Sequence, residues 1–174
     1  MGIALTKQKH VIFDVETTGL SALRGDRIIE IGALAVENED IIGEFHTLID
    51  VGMQIPCAVR RIHGITNDML IGKPRPEEVF PQFRDFIKNS ILVAHNAQFD
   101  MRFLRYEFAR QGFGLGNKYL CTLEMCRKRF PQLPDYKLET VCRHLFGRQV
   151  EEVQMHRALE DARMVARVWM KIMK

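Results

Sequence analysis

The sequence predicts an α/β domain built on a mixed β-sheet of five strands flanked by helices. Three β-rich segments come first and are joined by short turns, which indicates an antiparallel meander. After them, short apolar strands alternate with amphipathic helices. No internal repeat, linker or low-complexity segment interrupts the chain, so residues 1–174 are expected to form a single domain.

The expected strands are rich in β-branched and other apolar residues, and turn-forming residues bound them. They are residues 10–15, 27–36, 41–49, 91–94 and 119–121. Residues 17–21 end the first strand in a turn, and the polar residues 37–40 form the turn between the second and third. Glu30 is the one acid inside the second expected strand.

Helices are expected where apolar residues recur at every third or fourth position. Two short segments come first, residues 56–61 and 67–70. The longer helices are residues 77–88, 97–111, 122–130, 137–146 and a last helix from about 158 to the end. Thr66 and Thr122 precede two of these segments or stand at their start and are expected to cap them.

The composition excludes several classes of protein. Apolar residues make up 47% of the chain and charged residues 27%, as in ordinary globular proteins. The longest apolar runs are too short to cross a membrane, and no signal-like apolar segment precedes the first strand. The cysteines form no C-x-x-C pair, so we expect reduced thiols in a cytoplasmic protein rather than a zinc site. They are Cys57, Cys121, Cys126 and Cys142.

Two acids in the first expected strand are the most informative feature of the sequence. Asp14 and Glu16 are two positions apart, so their side chains project from the same face of the strand. Two like charges about 5 Å apart repel by roughly 3 kcal/mol at an effective dielectric constant of about 20. A divalent cation between the carboxylates is the simplest way to offset that repulsion.

Two further sites carry acids at the starts of helices. Asp100 falls in the first turn of the helix that follows strand 91–94, where an acid also offsets the helix dipole. His156 and Asp161 are five positions apart, which would point them about 140° apart on a regular helix. They can converge only if His156 lies at or before the start of the last helix.

Three segments of the chain resemble, in order, the motifs of the DEDDh, or DnaQ-like, 3′–5′ exonucleases. They are Phe-Asp-Val-Glu-Thr-Thr-Gly at 13–19, His-Asn-Ala-Gln-Phe-Asp at 95–100 and His-Arg-Ala-Leu-Glu-Asp at 156–161. Three ordered motifs are far more specific than one. Within that family, the chain is most similar to the proofreading (epsilon) subunits of bacterial DNA polymerase III. The resemblance implies a ribonuclease H-like fold and an enzyme that removes nucleoside 5′-monophosphates from the 3′ end of DNA in proofreading or repair.

The resemblance also implies roles for individual residues. Two divalent cations, Mg²⁺ or Mn²⁺, would be held by four acids, and a histidine would be the general base. The catalytic set is Asp14, Glu16, Asp100, Asp161 and His156, of which the four acids bind metal. The chemistry agrees, because hard cations prefer carboxylate oxygens and a histidine of near-neutral pKa can accept a proton from water.

Substrate contacts follow from the same resemblance only in part. The residues expected to cradle the terminal nucleotide are Thr17, Leu20, Ile62, His63 and Phe99. Ile62 and Phe99 would offer apolar faces for stacking, although core packing explains these two residues equally well. His63 and the following Gly64 could equally be a turn that ends a helix.

The net charge of +3 is a mild excess and does not by itself indicate a nucleic-acid-binding protein. Basic residues do gather in one stretch, 127–129 with Arg143 and Arg148, either as a solvated helix face or as phosphate contacts. The expected partners are single-stranded or frayed 3′ ends of DNA, with a polymerase subunit as a further candidate. The alternatives are a 3′–5′ exoribonuclease and a non-catalytic nucleic-acid-binding module.

Overall fold

The computed structural model describes residues 8–147 and 156–174. Five strands form one sheet in the order β3-β2-β1-β4-β5. They are β1 (His10–Thr17), β2 (Ile28–Glu37), β3 (Asp40–Leu48), β4 (Ile91–Ala94) and β5 (Tyr119–Cys121). β1, β2 and β3 form the predicted antiparallel meander, whereas β4 runs parallel to β1 and β5 runs parallel to β4. The prediction of a mixed five-stranded sheet is therefore confirmed.

Seven α-helices and one 3₁₀ helix flank the sheet within the described ranges. The α-helices are α1 (Cys57–His63), α2 (Asn67–Leu70), α3 (Pro76–Phe86), α4 (Ala97–Arg110), α5 (Thr122–Arg129), α6 (Leu138–Phe146) and α7 (Ala158–Ile172). The 3₁₀ helix, Ala22–Arg24, lies between β1 and β2. None of these helices is both long and apolar enough to cross a bilayer.

Alternation along β1 divides the core into two layers. Val11, Phe13 and Val15 point to the face that α3 and α4 cover, where most of the buried aromatic rings gather. Ile12 points to the opposite face and packs with Trp169 of α7. The side chains of Asp14 and Glu16 share the face of Ile12, so they emerge beneath α7.

The first turn of α7 lies directly on β2, and Gly32 makes that approach possible. A Cβ atom added to Gly32 would stand 2.2 Å from the backbone nitrogen of Leu159 and 2.3 Å from the carbonyl carbon of Ala158. In the antiparallel register Gly32 is the direct partner of Asp14. The helix start is thus held at the level of the strand acids.

Two details differ from the sequence-based expectations. Thr122 does not cap α5, because the extended backbone of β5 continues to Cys121, which occupies the N-cap position; Thr122 is the first helical residue. Thr66 does occupy the N-cap of α2 but its side chain makes no capping hydrogen bond. All four cysteines are free thiols, three of them buried and Cys57 exposed.

Candidate metal centre and nucleic-acid cleft

Three carboxylates from opposite ends of the chain converge where α7 crosses β1. Asp14 and Glu16 come from consecutive outward positions of β1, and Asp161 comes from the first turn of α7. One oxygen of each carboxylate can be chosen so that all three atoms lie within 4.8 Å of one another. Such a spacing suits oxygen ligands that share a cation.

Asp100 completes the acidic cluster from the far side. It lies in the first turn of α4, which begins after Asn96, a residue held in the left-handed conformation with a φ of 64°. Its side chain is buried, with 3% of its surface exposed. The 4.8 Å group does not include Asp100, but the charge of its carboxylate still raises the pKa of Asp14. The structure thus places all four predicted acids in one region, three of them in direct proximity.

Burial and mutual repulsion make ionisation of these carboxyl groups unfavourable. Burial, followed by the charges of the neighbouring carboxylates, raises the pKa of Asp14 well above its usual range. The same two causes raise the pKa of Glu16 to about 8. Burial raises the pKa of Asp100 to about 7 and that of Asp161 to about 6. A group of carboxylates that resists ionisation in this way is poised to bind cations, which would stabilise the charged forms.

Asp161 shows the fit to a cation most directly. Its Oδ2 accepts a hydrogen bond of 3.1 Å from the backbone N–H of His156. Its Oδ1 is buried and has no hydrogen-bond partner among the described residues. A buried carboxylate oxygen without a donor is unfavourable, and a divalent cation is the partner that hard oxygen ligands suit best. The residues present therefore fit a divalent metal ion.

His156 lies two residues before α7, which satisfies the condition that the spacing of His156 and Asp161 imposed. Its side chain is exposed, and its backbone is left-handed with a φ of 69°. Non-glycine residues rarely adopt that conformation, and it recurs at functional sites where surrounding contacts enforce it. The turn brings His156 to the mouth of the cleft above Asp161.

An open cleft of about 690 Å³ leads to the acids. Asp14, Asp161 and His156 line it together with a group of basic and aromatic residues, here called the wall. The wall contains Arg127, Tyr136 and Lys137. The guanidinium of Arg127 lies over the Tyr136 ring, 5.3 Å from its centre. Arg148, named with this basic stretch in the sequence, lies outside the described residues.

His95 ties that wall to the acidic side, a role that sequence reasoning missed. Its Nδ1 lies 2.9 Å from the hydroxyl of Thr122, and its Nε2 lies 2.7 Å from the carbonyl oxygen of Tyr136. Because a carbonyl only accepts, Nε2 carries the proton. Burial lowers the pKa of His95, which favours the neutral ring, with Nδ1 as an acceptor towards the hydroxyl of Thr122.

The expected substrate residues surround the end of β1 in different environments. Leu20 and Ile62 are exposed, with 78% and 58% of their surfaces accessible, so core packing does not explain Ile62. Phe99 is half-buried, its ring centre 4.9 Å from that of Phe103. Thr17 is buried, and its hydroxyl donates to the carbonyl of Gly19 at 2.6 Å.

His63 is buried at the end of α1, where Gly64 takes the left-handed conformation that ends the helix. Its Nδ1 accepts a 3.0 Å hydrogen bond from the N–H of Ile65, so Nε2 carries the proton. Nε2 is buried without a partner among the described residues. The backbone of Thr17 nevertheless lies close enough to raise the pKa of His63 against the effect of burial, so the ring of this turn residue faces the end of β1.

Glu30 and Arg157 form an ion pair that sequence reasoning did not identify. Arg157 is the residue between His156 and α7, and its Nη2 lies 2.7 Å from Oε1 of Glu30 on β2. The two residues are 127 positions apart. No local pattern connects them, although the acid inside an otherwise apolar strand was a signal that Glu30 needs a partner.

A family model named RNase_T and described as an exonuclease matches residues 11–169. The DNA polymerase III subunit epsilon of Aquifex aeolicus is 37% identical over 165 residues, which cover 94% of this chain and 80% of that protein. The PolC-type DNA polymerase III of Caldanaerobacter subterraneus subsp. tengcongensis is 38% identical over 166 residues, 95% of this chain but only 12% of that protein.

A solved structure of exonuclease X in complex with 5′-overhanging duplex DNA is similar in fold. It superposes with a TM-score of 0.73 and 27% sequence identity over 95% of this chain and 90% of that chain. The predicted ribonuclease H-like fold is confirmed by this likeness together with the five-stranded mixed sheet.

Proposed function

This chain belongs to the exonuclease family, and from that premise we propose that it hydrolyses phosphodiester bonds from the 3′ end of DNA and releases nucleoside 5′-monophosphates. The observation that carries the proposal is the convergence of Asp14, Glu16 and Asp161 within 4.8 Å at the base of an open cleft. Asp100 stands beside them with a pKa raised by burial to about 7.

We assign Asp14, Glu16, Asp100 and Asp161 as ligands of two divalent cations, Mg²⁺ or Mn²⁺. Four carboxylates carry four negative charges, which two dications would balance. When bound, such a pair of ions supplies an activated water and offsets the charge that develops on the scissile phosphate. The protein's part is to hold the oxygens in place, and the free Oδ1 of Asp161 is the atom best presented for this.

His156 is the general base in this proposal. Its exposed side chain stands at the mouth of the cleft, where it can take a proton from the attacking water. The backbone of His156 is tied to Oδ2 of Asp161, so the base and one metal ligand are positioned together.

The terminal nucleotide is proposed to lie between the exposed apolar residues and the acids. Leu20, Ile62 and Phe99 provide apolar surface for the base and sugar. Thr17 and the neighbouring ring of His63 provide polar groups for the 3′ end.

Arg127 and Lys137, across the cleft, are suited to the phosphates of the preceding nucleotides because both are exposed cations on its wall.

The biological setting is proposed to be proofreading alongside a DNA polymerase. The support is the similarity to a polymerase III epsilon subunit and to the PolC-type polymerases. This chain spans only about an eighth of the length of the PolC-type polymerase. We also propose that residues 1–174 form one exonuclease domain, since helices from both described ranges pack on the same sheet.

The test is a digestion of 5′-labelled single-stranded DNA and of RNA of the same sequence, with Mn²⁺ or with EDTA. We expect DNA to shorten stepwise from its 3′ end in Mn²⁺ only. Asp161→Asn should abolish the ladder. Its matched control is Glu160→Gln, which changes the neighbouring acid that pairs with Arg163 on the surface of the same helix and should remain active.

Three outcomes would contradict parts of the proposal. Preferential digestion of RNA would favour the exoribonuclease alternative. Binding of DNA without cleavage in Mn²⁺ would favour a non-catalytic binding module. Internal cuts in DNA whose 3′ end is blocked would show endonucleolytic cleavage instead.

A further inference from the structure

Glu30 is a buried charge that the proposed chemistry does not use. It is the third residue of β2 and lies directly opposite Glu16 in the antiparallel register. Its surface is fully buried, and its carboxylate adds to the repulsion that raises the pKa of Glu16. A carboxylate in such a place is unfavourable unless its bonds do something that an apolar side chain could not.

All the bonds of Glu30 are directed at the start of α7 and at the edge of the sheet. Arg157 donates from Nε and Nη2, with the Nη2 bond to Oε1 measuring 2.7 Å. The backbone N–H of Ala158, the first residue of α7, donates to Oε2 at 3.1 Å. His46 of β3 places its Nε2 2.9 Å from Oε1.

These bonds keep Glu30 ionised. Burial would raise the pKa of Glu30, but the hydrogen bonds from Arg157, His46 and Ala158 outweigh burial and lower it. Glu30 thus serves as the N-terminal cap of a helix more than 120 positions further along the chain. The N-cap residue of α7 itself, Arg157, makes no side-chain capping bond.

Two of the residues that Glu30 binds, Arg157 and Ala158, lie in the segment that connects the proposed base to a metal ligand. His156 precedes Arg157, and its N–H is bound to Asp161 in the first turn of α7. Gly32, two positions after Glu30 on the same face of β2, lets the backbone of Ala158 and Leu159 rest on the sheet. The approach is therefore fixed by Gly32 and the orientation by Glu30.

We propose that the ion pair of Glu30 and Arg157 is a positioning device for the reaction: it fixes the left-handed turn at His156 and thereby sets the general base against Asp161. This inference rests on the proposed function of His156 and Asp161. Partners of this kind, one contact removed from a metal site, typically change affinity or activity by about 10–100-fold when removed.

The chain contains a matched control. Glu107 on α4 is also buried. Its carboxylate accepts hydrogen bonds from Nε (2.6 Å) and Nη2 (2.8 Å) of Arg27. It also accepts a bond of 3.2 Å from the backbone N–H of Ile28. That pair joins α4 to the start of β2 and involves none of the proposed catalytic residues. Glu107→Gln therefore removes a comparable bond set at a comparable depth.

The experiment compares Glu30→Gln and Glu107→Gln in the full chain. Both variants should lower the melting temperature. At a temperature where both remain folded, Glu30→Gln should lower kcat on single-stranded DNA at least about tenfold with little change in KM, while Glu107→Gln stays within about twofold of the original kcat. Arg157→Lys, which keeps the charge without the bidentate fork, should recover part of the loss seen in Arg157→Gln.

The double variant Glu30→Gln/Arg157→Gln separates positioning from a simple charge effect. A positioning role predicts a kcat no lower than about threefold below that of the single variants, because both remove the same contact. Full recovery in the double variant would mean that the freed arginine, rather than a displaced turn, had impaired the site. Either that recovery or equal kcat for Glu30→Gln and Glu107→Gln would overturn the inference.

Amide hydrogen exchange keeps the test independent of nuclease activity. Glu30→Gln should speed exchange at Ala158 at least about tenfold, and Glu107→Gln should instead speed exchange at Ile28. An unchanged exchange rate at Ala158 would refute the proposal that Glu30 fixes the start of α7, even if the enzyme is active. An inactive original protein would refute the proposed function, while the exchange result would still decide whether Glu30 fixes the helix start.

Discussion

Gly32→Ala should damage the acidic cluster without touching any of its members. The added Cβ would stand 2.2 Å from the backbone nitrogen of Leu159, whereas ordinary contact begins near 3.4 Å. The obstacle is main chain rather than the end of a flexible side chain, so the start of α7 has to retreat by roughly 1 Å. His156 and Asp161 would move with it.

The magnitude follows from that displacement. Overpacking of this kind costs about 1–3 kcal/mol of unfolding free energy, and a misplacement of about 1 Å in a catalytic group costs on the order of 100-fold in rate. Urea denaturation measures the first quantity. Digestion of 5′-labelled single-stranded DNA, carried out where the variant is fully folded, measures the second.

Gly43→Ala is the control for this change. Gly43 also lies within a strand, β3, but a Cβ there would meet its nearest neighbour, Cε2 of Phe86, at 3.5 Å, which is ordinary contact. It should leave rate and stability within about 0.5 kcal/mol of the original. A Gly32→Ala variant with unchanged activity would refute the claim that the close approach of α7 to β2 places the site.

Three further predictions concern the acids, the base and the substrate surface. The folded pKa of Glu16, about 8, and of Asp161, about 6, lie above their ordinary values of 4.5 and 3.8, so the folded state holds protons that the unfolded chain has lost. The unfolding free energy of the metal-free protein should therefore fall as pH rises from about 4 to 8, by about 1.4 kcal/mol per pH unit for each extra proton, and Mn²⁺ should remove the fall; a flat profile without metal would contradict this. His156→Ala should lower kcat by about 10²–10⁴-fold while stabilisation by Mn²⁺ persists, and loss of that stabilisation would count against its role as base. Ile62→Ser should raise KM for DNA by about tenfold (about 1.4 kcal/mol) at unchanged melting temperature. Ile71→Ser, at an isoleucine that is also exposed but is not among the proposed substrate residues, should not; equal effects would remove Ile62 from the substrate surface.

The local sequence pattern was sufficient to predict the strands and helices and the face on which each of their side chains lies. The two-residue period put Asp14 and Glu16 on one side of β1, and the helical period required His156 to precede α7; both geometries are found. Each of these statements depends on neighbours in sequence. The expected boundaries differ from the structure by a residue or two where helices fray, as in α3, which was expected at 77–88 and is found at Pro76–Phe86.

Long-range contacts were beyond the reach of such patterns. In the sequence, Glu30 is an acid within a strand and Arg157 is an arginine within a loop. They are 127 positions apart, and no periodicity links residues at that distance. Gly32 is one small residue in an apolar strand, and only the docked helix shows why a side chain is excluded there. The sequence also does not show which apolar residues are exposed to solvent. Ile62 is apolar, as core residues usually are, yet its side chain lies on the surface.

The docking of α7 on the sheet also determines at which stage of synthesis and folding the acid cluster can assemble. A carboxylate from β1 meets its partner on α7 only after the chain has closed its longest loop, and contacts so distant in sequence form late and slowly during folding. A polypeptide that has not yet added its final helix, or one that has lost it, lacks Asp161 and therefore cannot assemble the acid cluster. Assembly of the cluster thus depends on the last element of the chain and not only on the strand that carries two of its acids.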